Sequence, residues 1–79
     1  MVIHPGQVVA DYIQSLEWTQ AEFARRIGIT PKTVSKLLNG KASIKPYMAI
    51  GLERLSKKPA RFWLQLQTDY DLATERLKQ

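Results

Sequence analysis

The sequence predicts an all-α domain built from five helices with short connections. Three observations carry this reading. Apolar residues recur at three- and four-residue spacing, and residues that start and stop helices punctuate them. Nowhere do β-branched residues alternate with polar ones over a useful length, so strand signals are weak. A chain of 79 residues is enough for one domain, and residues 1–79 are read as a single unit.

Val8, Val9, Tyr12, Ile13 and Leu16 form one face of a first helix that begins near Pro5 and Gly6, with His4 as a helix-start residue. Glu17 and Trp18 lead to a second helix. There Thr19 and Glu22 have the spacing of a capping box, in which the threonine caps and the glutamate reaches back. Gly28 stops that helix. Thr30 and Pro31 open a third, as N-cap and as a first-position proline whose missing N–H had no partner to lose. Asn39 and Gly40 close it with residues that accept a left-handed conformation. Pro46 opens a fourth, with Met48, Ala49, Leu52 and Leu55 inside. Pro59 opens a fifth, at about 59–78, along which Phe62, Leu66, Tyr70, Ala73 and Leu77 form a stripe.

The net charge of +5 is unevenly distributed. Up to Ala24 the only charged groups are Asp11, Glu17 and Glu22, a net −3. From Arg25 to Arg61 ten basic residues face Glu53 alone, a net +9, and the remaining tail is −1. Between Arg25 and Lys45 six positive charges run without an acid (Arg25, Arg26, Lys32, Lys36, Lys41 and Lys45). That concentration is the electrostatic footprint of a phosphate-binding surface.

Composition also excludes function classes. Without cysteine there are no disulfides or thiolate metal sites, and a reducing compartment is expected. No apolar run approaches the roughly 20 residues of a membrane helix, and the start Met1 to Gly6 lacks the pattern of a signal peptide. A soluble cytoplasmic protein with no membrane partner is expected. One histidine cannot build a metal site. No glycine-rich phosphate loop or plausible carboxylate pair is present, so no catalytic residue, cofactor or enzymatic activity is expected.

Residues Gln20 to Asn39 meet a steep geometric demand. Two helices joined by a turn of three or four residues must cross at a wide angle. Ala24 supplies the small side chain at the crossing, and Gly28 a residue that accepts positive φ in the turn. Phe23, Ile27, Ile29, Val34 and Leu37 supply apolar anchors from both helices and the turn. A single glycine between two apolar helices would mean little; the joint pattern is that of a helix-turn-helix.

This stretch resembles the helix-turn-helix of the Xre family of repressors, in the order seen in phage repressors and Cro proteins. The resemblance implies a lambda-repressor-like fold that binds double-stranded DNA, with Thr30 to Leu38 as the recognition helix in the major groove. It implies a phosphate contact for Gln20. It puts base contacts at Pro31, Lys32, Thr33 and Lys36, with Thr30 and Ser35 in the same DNA-facing set. Backbone contacts fall at Asn39 and Lys41. The chain departs from the pattern at Pro31, where a hydrogen-bonding residue is common. Readout there would be apolar, against a thymine methyl, while Lys32 has the reach for guanine O6 and N7.

The flanks are similar to the HigA-type antitoxins, a branch of the Xre proteins. The similarity lies in His4-Pro5-Gly6 leading into Val8 to Ile13, and in Phe62 to Gln67 followed by Tyr70-Asp71-Leu72. The link Leu55-Ser56-Lys57-Lys58 departs from the small, glycine-containing segment usual there. The resemblance implies a homodimer that binds a palindromic operator, represses its own operon and neutralises a small basic RelE-like ribonuclease toxin that cuts messenger RNA. Helix-turn-helix proteins commonly need two copies to read half-sites about 34 Å apart. The last helix is expected to turn Phe62 and Leu66 inward. Trp63, Gln67 and Tyr70, with Leu66 beside them, would contribute to the twofold interface. The −3 amino-terminal segment suits a positively charged partner. Two other readings stay open: a free-standing regulator without a toxin, and a protein-interaction module that does not bind DNA.

Overall fold

Every helix of the chain begins at a proline, a hydroxyl or another group that deals with its first N–H donors. The structure is a computed structural model that describes residues 3–79; the first two residues, part of the expected domain and of the amino-terminal reading, lie outside it. Five helices follow in order: α1 (Pro5–Leu16), α2 (Gln20–Ile27), α3 (Pro31–Leu38), α4 (Pro46–Ser56) and α5 (Ala60–Leu77). Among the described residues there is no strand. The protein is all-α, and each helix lies where its start and stop signals put it.

His4 Nδ1 accepts the Gly6 N–H at 2.9 Å and caps α1. Thr19 Oγ1 accepts the Glu22 N–H at 3.1 Å, and Thr30 Oγ1 accepts the Thr33 N–H at 3.1 Å. Each such cap stabilises its helix by about 1 kcal/mol. The capping box at α2 forms only in part. The Glu22 carboxylate turns to Arg25 and Arg26, because two guanidinium partners outweigh one backbone N–H. α5 is capped from outside itself: Glu53 on α4 accepts the Ala60 N–H at 2.8 Å.

α2 packs on α3 and α4, α1 on α3 and α5, and α5 on α4. The core lies where these layers meet, among Val9, Phe23, Val34, Leu37, Leu52 and Trp63, each at most 2% exposed. A side chain on Gly6 would run into the Leu37 carbonyl oxygen, so this glycine lets the start of α1 lie directly on the end of α3. The same region is tied to α5 by an edge-on contact of the His4 and Tyr70 rings, 4.7 Å between centroids. His4-Pro5-Gly6 therefore joins three helices at one corner.

The inward face of α5 differs from the expected stripe by one residue in its first half. Trp63 is 2% exposed, and its indole N–H donates to Ser56 Oγ at 3.3 Å. Its ring lies 5.8 Å from that of Tyr12. Phe62, expected inside, is 38% exposed and lies edge-on to Trp63, with the Lys58 ammonium 5.1 Å from its ring. Gln67 is 6% exposed; its side-chain oxygen accepts the Ile44 N–H at 2.8 Å and its NH2 donates to Asp71 at 2.9 Å. Trp63 and Gln67 are thus occupied within the chain, which leaves little of either for the part in a twofold interface expected of them. The reason is polar as much as apolar: the buried loop N–H of Ile44 needs an acceptor, and Gln67 is the side chain that reaches it. Leu66 and Tyr70 are half-buried on the neighbouring flank.

Candidate nucleic-acid interface

The α2–α3 turn is short because one carbonyl serves two donors. Ala24 O accepts from Gly28 N at 2.9 Å and from Ile29 N at 3.0 Å. Gly28 has φ +80°, where a Cβ would clash with its own backbone, although no other atom lies within 4 Å of one. Ala24 is fully buried at the crossing, with Phe23, Ile27, Val34 and Leu37 buried around it and Ile29 half-buried. All seven residues assigned to the helix-turn-helix frame have the environment their type demands.

With Val34 and Leu37 inward, the opposite face of α3 is left to solvent. Pro31, Lys32, Ser35 and Lys36 are exposed on it, and Thr30, Asn39 and Lys41 are exposed at its two ends. Gln20 is exposed at the first position of α2. Thr33 stands apart from this set. It is half-buried, and its hydroxyl lies 2.9 Å from that of Thr30, so these two side chains hold each other while Thr30 caps the helix. Asn39 reaches back to Ser35 Oγ at 3.5 Å.

The basic run divides in three dimensions. Arg25 forms a two-point contact with Glu22, at 2.8 and 3.0 Å, and Arg26 reaches the same carboxylate at 3.3 Å. The hydrogen bonds from Arg25, joined by the attraction of both guanidinium groups, hold the Glu22 carboxyl below the usual carboxylate range. Arg26 also lies 4.6 Å over the Trp18 ring. Lys32, Lys36, Lys41 and Lys45 have no ion pair among the described residues. The unpaired positive charge on this side therefore belongs to lysines on and after α3, whereas the two arginines share one carboxylate. A groove between α3 and the start of α4 brings Lys41 and Lys45 together with Thr33, Pro46 and Tyr47. Lys45 and Tyr47 were not singled out from the sequence; the nearest signal was the position of Lys45 within the acid-free run.

The geometry is that of a DNA-reading helix pair, and comparison with known proteins agrees. Residues 9–61 match the helix-turn-helix family model HTH_3.

The chain belongs to this helix-turn-helix family.

The family is one of DNA-binding regulators and antitoxins, not of enzymes. A helix-turn-helix-type transcriptional regulator of Escherichia coli K12, the uncharacterised YddM, is 39% identical over 69 residues, which span 87% of this chain and 73% of YddM. The antitoxin HigA of Pseudomonas aeruginosa, solved with the higBA promoter, superposes with a TM-score of 0.93 at 30% identity, covering 99% of this chain and 86% of that one. An addiction module antidote protein of a HigA family from Coxiella burnetii gives a TM-score of 0.93 at 31% identity, covering 98% and 85%. The five-helix all-α fold is thus shared with HigA-type antitoxins, as the flanking sequence motifs imply. No helix among the described residues is long and apolar enough to cross a membrane.

Proposed function

We propose that this helix-turn-helix protein is a homodimeric antitoxin that binds a palindromic operator, represses its own operon and neutralises a small basic ribonuclease of the RelE-like class. The observation that carries the DNA reading is the exposed face of α3. Lys32, Ser35 and Lys36 stand on a short helix held rigidly from behind, and unpaired lysines continue beyond its end. In a major groove Lys32 and Lys36 would face base edges or phosphates, with Pro31 against a thymine methyl. Gln20, Asn39 and Lys41 would contact the flanking backbone, with Thr30 and Thr33 setting the start of the helix.

A homodimer follows from the need to read two half-sites about 34 Å apart. With Trp63 and Gln67 buried, the part of α5 open to a second copy is the flank of Leu66 and Tyr70, together with the exposed Phe62, Leu72 and Leu77. The toxin reading is supported by the HigA-type neighbours and by α1, which carries no lysine or arginine. The similarity to YddM favours a second reading, a regulator acting without a toxin.

One pair of measurements separates these readings. Tighter binding to a duplex from the region upstream of its own gene than to random duplex supports operator recognition, and a steep weakening with salt marks its phosphate contacts. Co-expression with the product of the neighbouring reading frame supports the antitoxin role if the two co-purify and growth is protected. Operator binding without either effect leaves the lone regulator, and no binding to any duplex removes both.

A further inference from the structure

Tyr47 stands in the first turn of α4 with 54% of its surface exposed. Among the described residues the other exposed or half-buried aromatic rings have partners within the chain. Tyr12 meets Phe23 and Trp63, Tyr70 meets His4, Phe62 meets Trp63 and Lys58, and Trp18 lies beneath Arg26. Tyr47 has no such ring or cation partner. A single exposed aromatic residue is ordinary on a protein surface. The neighbours of this one are not, because its groove is shared with Lys41, Lys45 and Thr33 of α3.

The position beside α3 decides what the ring can meet. A helix with its side chains is about 10–12 Å across, and the major groove is about 12 Å wide. A helix lying in that groove fills it, so whatever stands directly beside the helix meets the sugar–phosphate wall. Tyrosine suits such a wall, since its ring packs against deoxyribose and its hydroxyl donates to a phosphate oxygen. Pro46 immediately before it fixes φ and stiffens the approach.

We propose that Tyr47 and Lys45 form a second DNA-contact element, gripping the backbone strand that borders the groove occupied by α3. The proposal rests on the DNA-binding reading above. Lys45 supplies the salt-dependent attraction, and Tyr47 a contact that salt does not screen. The pair positions the protein on the duplex and does not read bases. Sequence preference therefore stays with α3.

Fluorescence anisotropy of the full chain tests this with two labelled duplexes, one from its own upstream region and one of random sequence, over a range of salt. Tyr47→Ala is expected to weaken binding to both by roughly tenfold, which corresponds to about 1.4 kcal/mol, with the salt slope unchanged. Tyr47→Phe should fall between it and the unaltered protein. Lys45→Ala should reduce the slope by about 0.9 per protomer. Tyr47→Gln serves as a second replacement if the alanine variant melts at a lower temperature. Unchanged affinity on replacing Tyr47 overturns the proposal, as does a loss confined to the upstream duplex, which would make Tyr47 a base reader. If the unaltered protein binds neither duplex, the DNA-binding reading itself fails, a result distinct from either of these.

Discussion

The side-chain oxygen of Gln67 accepts a hydrogen bond from the backbone N–H of Ile44 at 2.8 Å, twenty-three residues away and out of contact with solvent. Ile44 lies in the loop that leaves α3, so this one bond ties that loop to α5. Gln67→Leu keeps the bulk and removes the acceptor. Leaving a buried N–H unpaired costs about 1–3 kcal/mol, and urea unfolding should show a loss of that size. A variant as stable as the original would mean that the loop finds another partner.

The face that α5 turns inward is tested by two adjacent rings. Trp63→Ala should cost about 3–5 kcal/mol, as expected for a large aromatic removed from a packed core. Phe62→Ala should cost about 1 kcal/mol, the size of an edge-to-face ring contact. Thermal or denaturant melts of the two variants measure the difference. The reverse order would restore the stripe that periodicity alone suggests.

Backbone strain gives predictions of opposite sign. Gly28 has φ +80° with room for a methyl group, so Gly28→Ala should destabilise through conformation alone, by about 1–2 kcal/mol. Gly28→Val should do more damage, because a β-branched residue is worse still at positive φ. Lys57 ends α4 at φ +69°, in the left-handed region that glycine adopts without strain. Lys57→Gly should therefore raise stability by up to about 1 kcal/mol, read as a higher melting temperature.

Under the proposed function, replacing Lys32 separates a base contact from a phosphate contact. Lys32→Ala should weaken operator binding by about 1–3 kcal/mol and relax preference at one base position if it reads that base. An equal loss on operator and random DNA would make it a phosphate contact.

Glu22 links acid stability to the charge that Arg25 and Arg26 present. Its folded-state carboxyl is lowered chiefly by hydrogen bonds from Arg25, so its contribution is present above the ordinary carboxylate range and fades as pH falls through its lowered value. Glu22→Gln should flatten the acid limb of the stability profile. It should also strengthen binding to random duplex at low salt by freeing Arg25 and Arg26. Both arginines are exposed and the Glu22 side chain is only partly covered, so both effects should be small and should shrink further as salt is added.

The helix-turn-helix was legible because its demands are local. Ala24 at the crossing, Gly28 in the turn and apolar anchors at fixed spacing follow from two helices meeting at one short turn. The caps at Thr19 and Thr30 were legible for the same reason. What escaped the sequence was set by partners far along the chain. Gln67 is polar by type and buried because Ile44 needs it. Trp63 is drawn in by Tyr12 and Ser56, which displaces Phe62 outward. Glu22 satisfies the spacing of a capping box, yet two arginines one turn away compete for it. The count of positive charges likewise could not tell paired arginines from unpaired lysines.

In the proposed function α3 enters the major groove of DNA, with Lys32, Lys36, Lys41 and Lys45 on it and just beyond its end. Salt-dependent binding to the duplex from its own upstream region tests this most directly. Each phosphate neutralised contributes about −0.9 to the slope of log affinity against log salt, so a steep negative slope is expected, along with tighter binding than to random DNA. Affinity that is flat with salt, or equal on both duplexes, would contradict it.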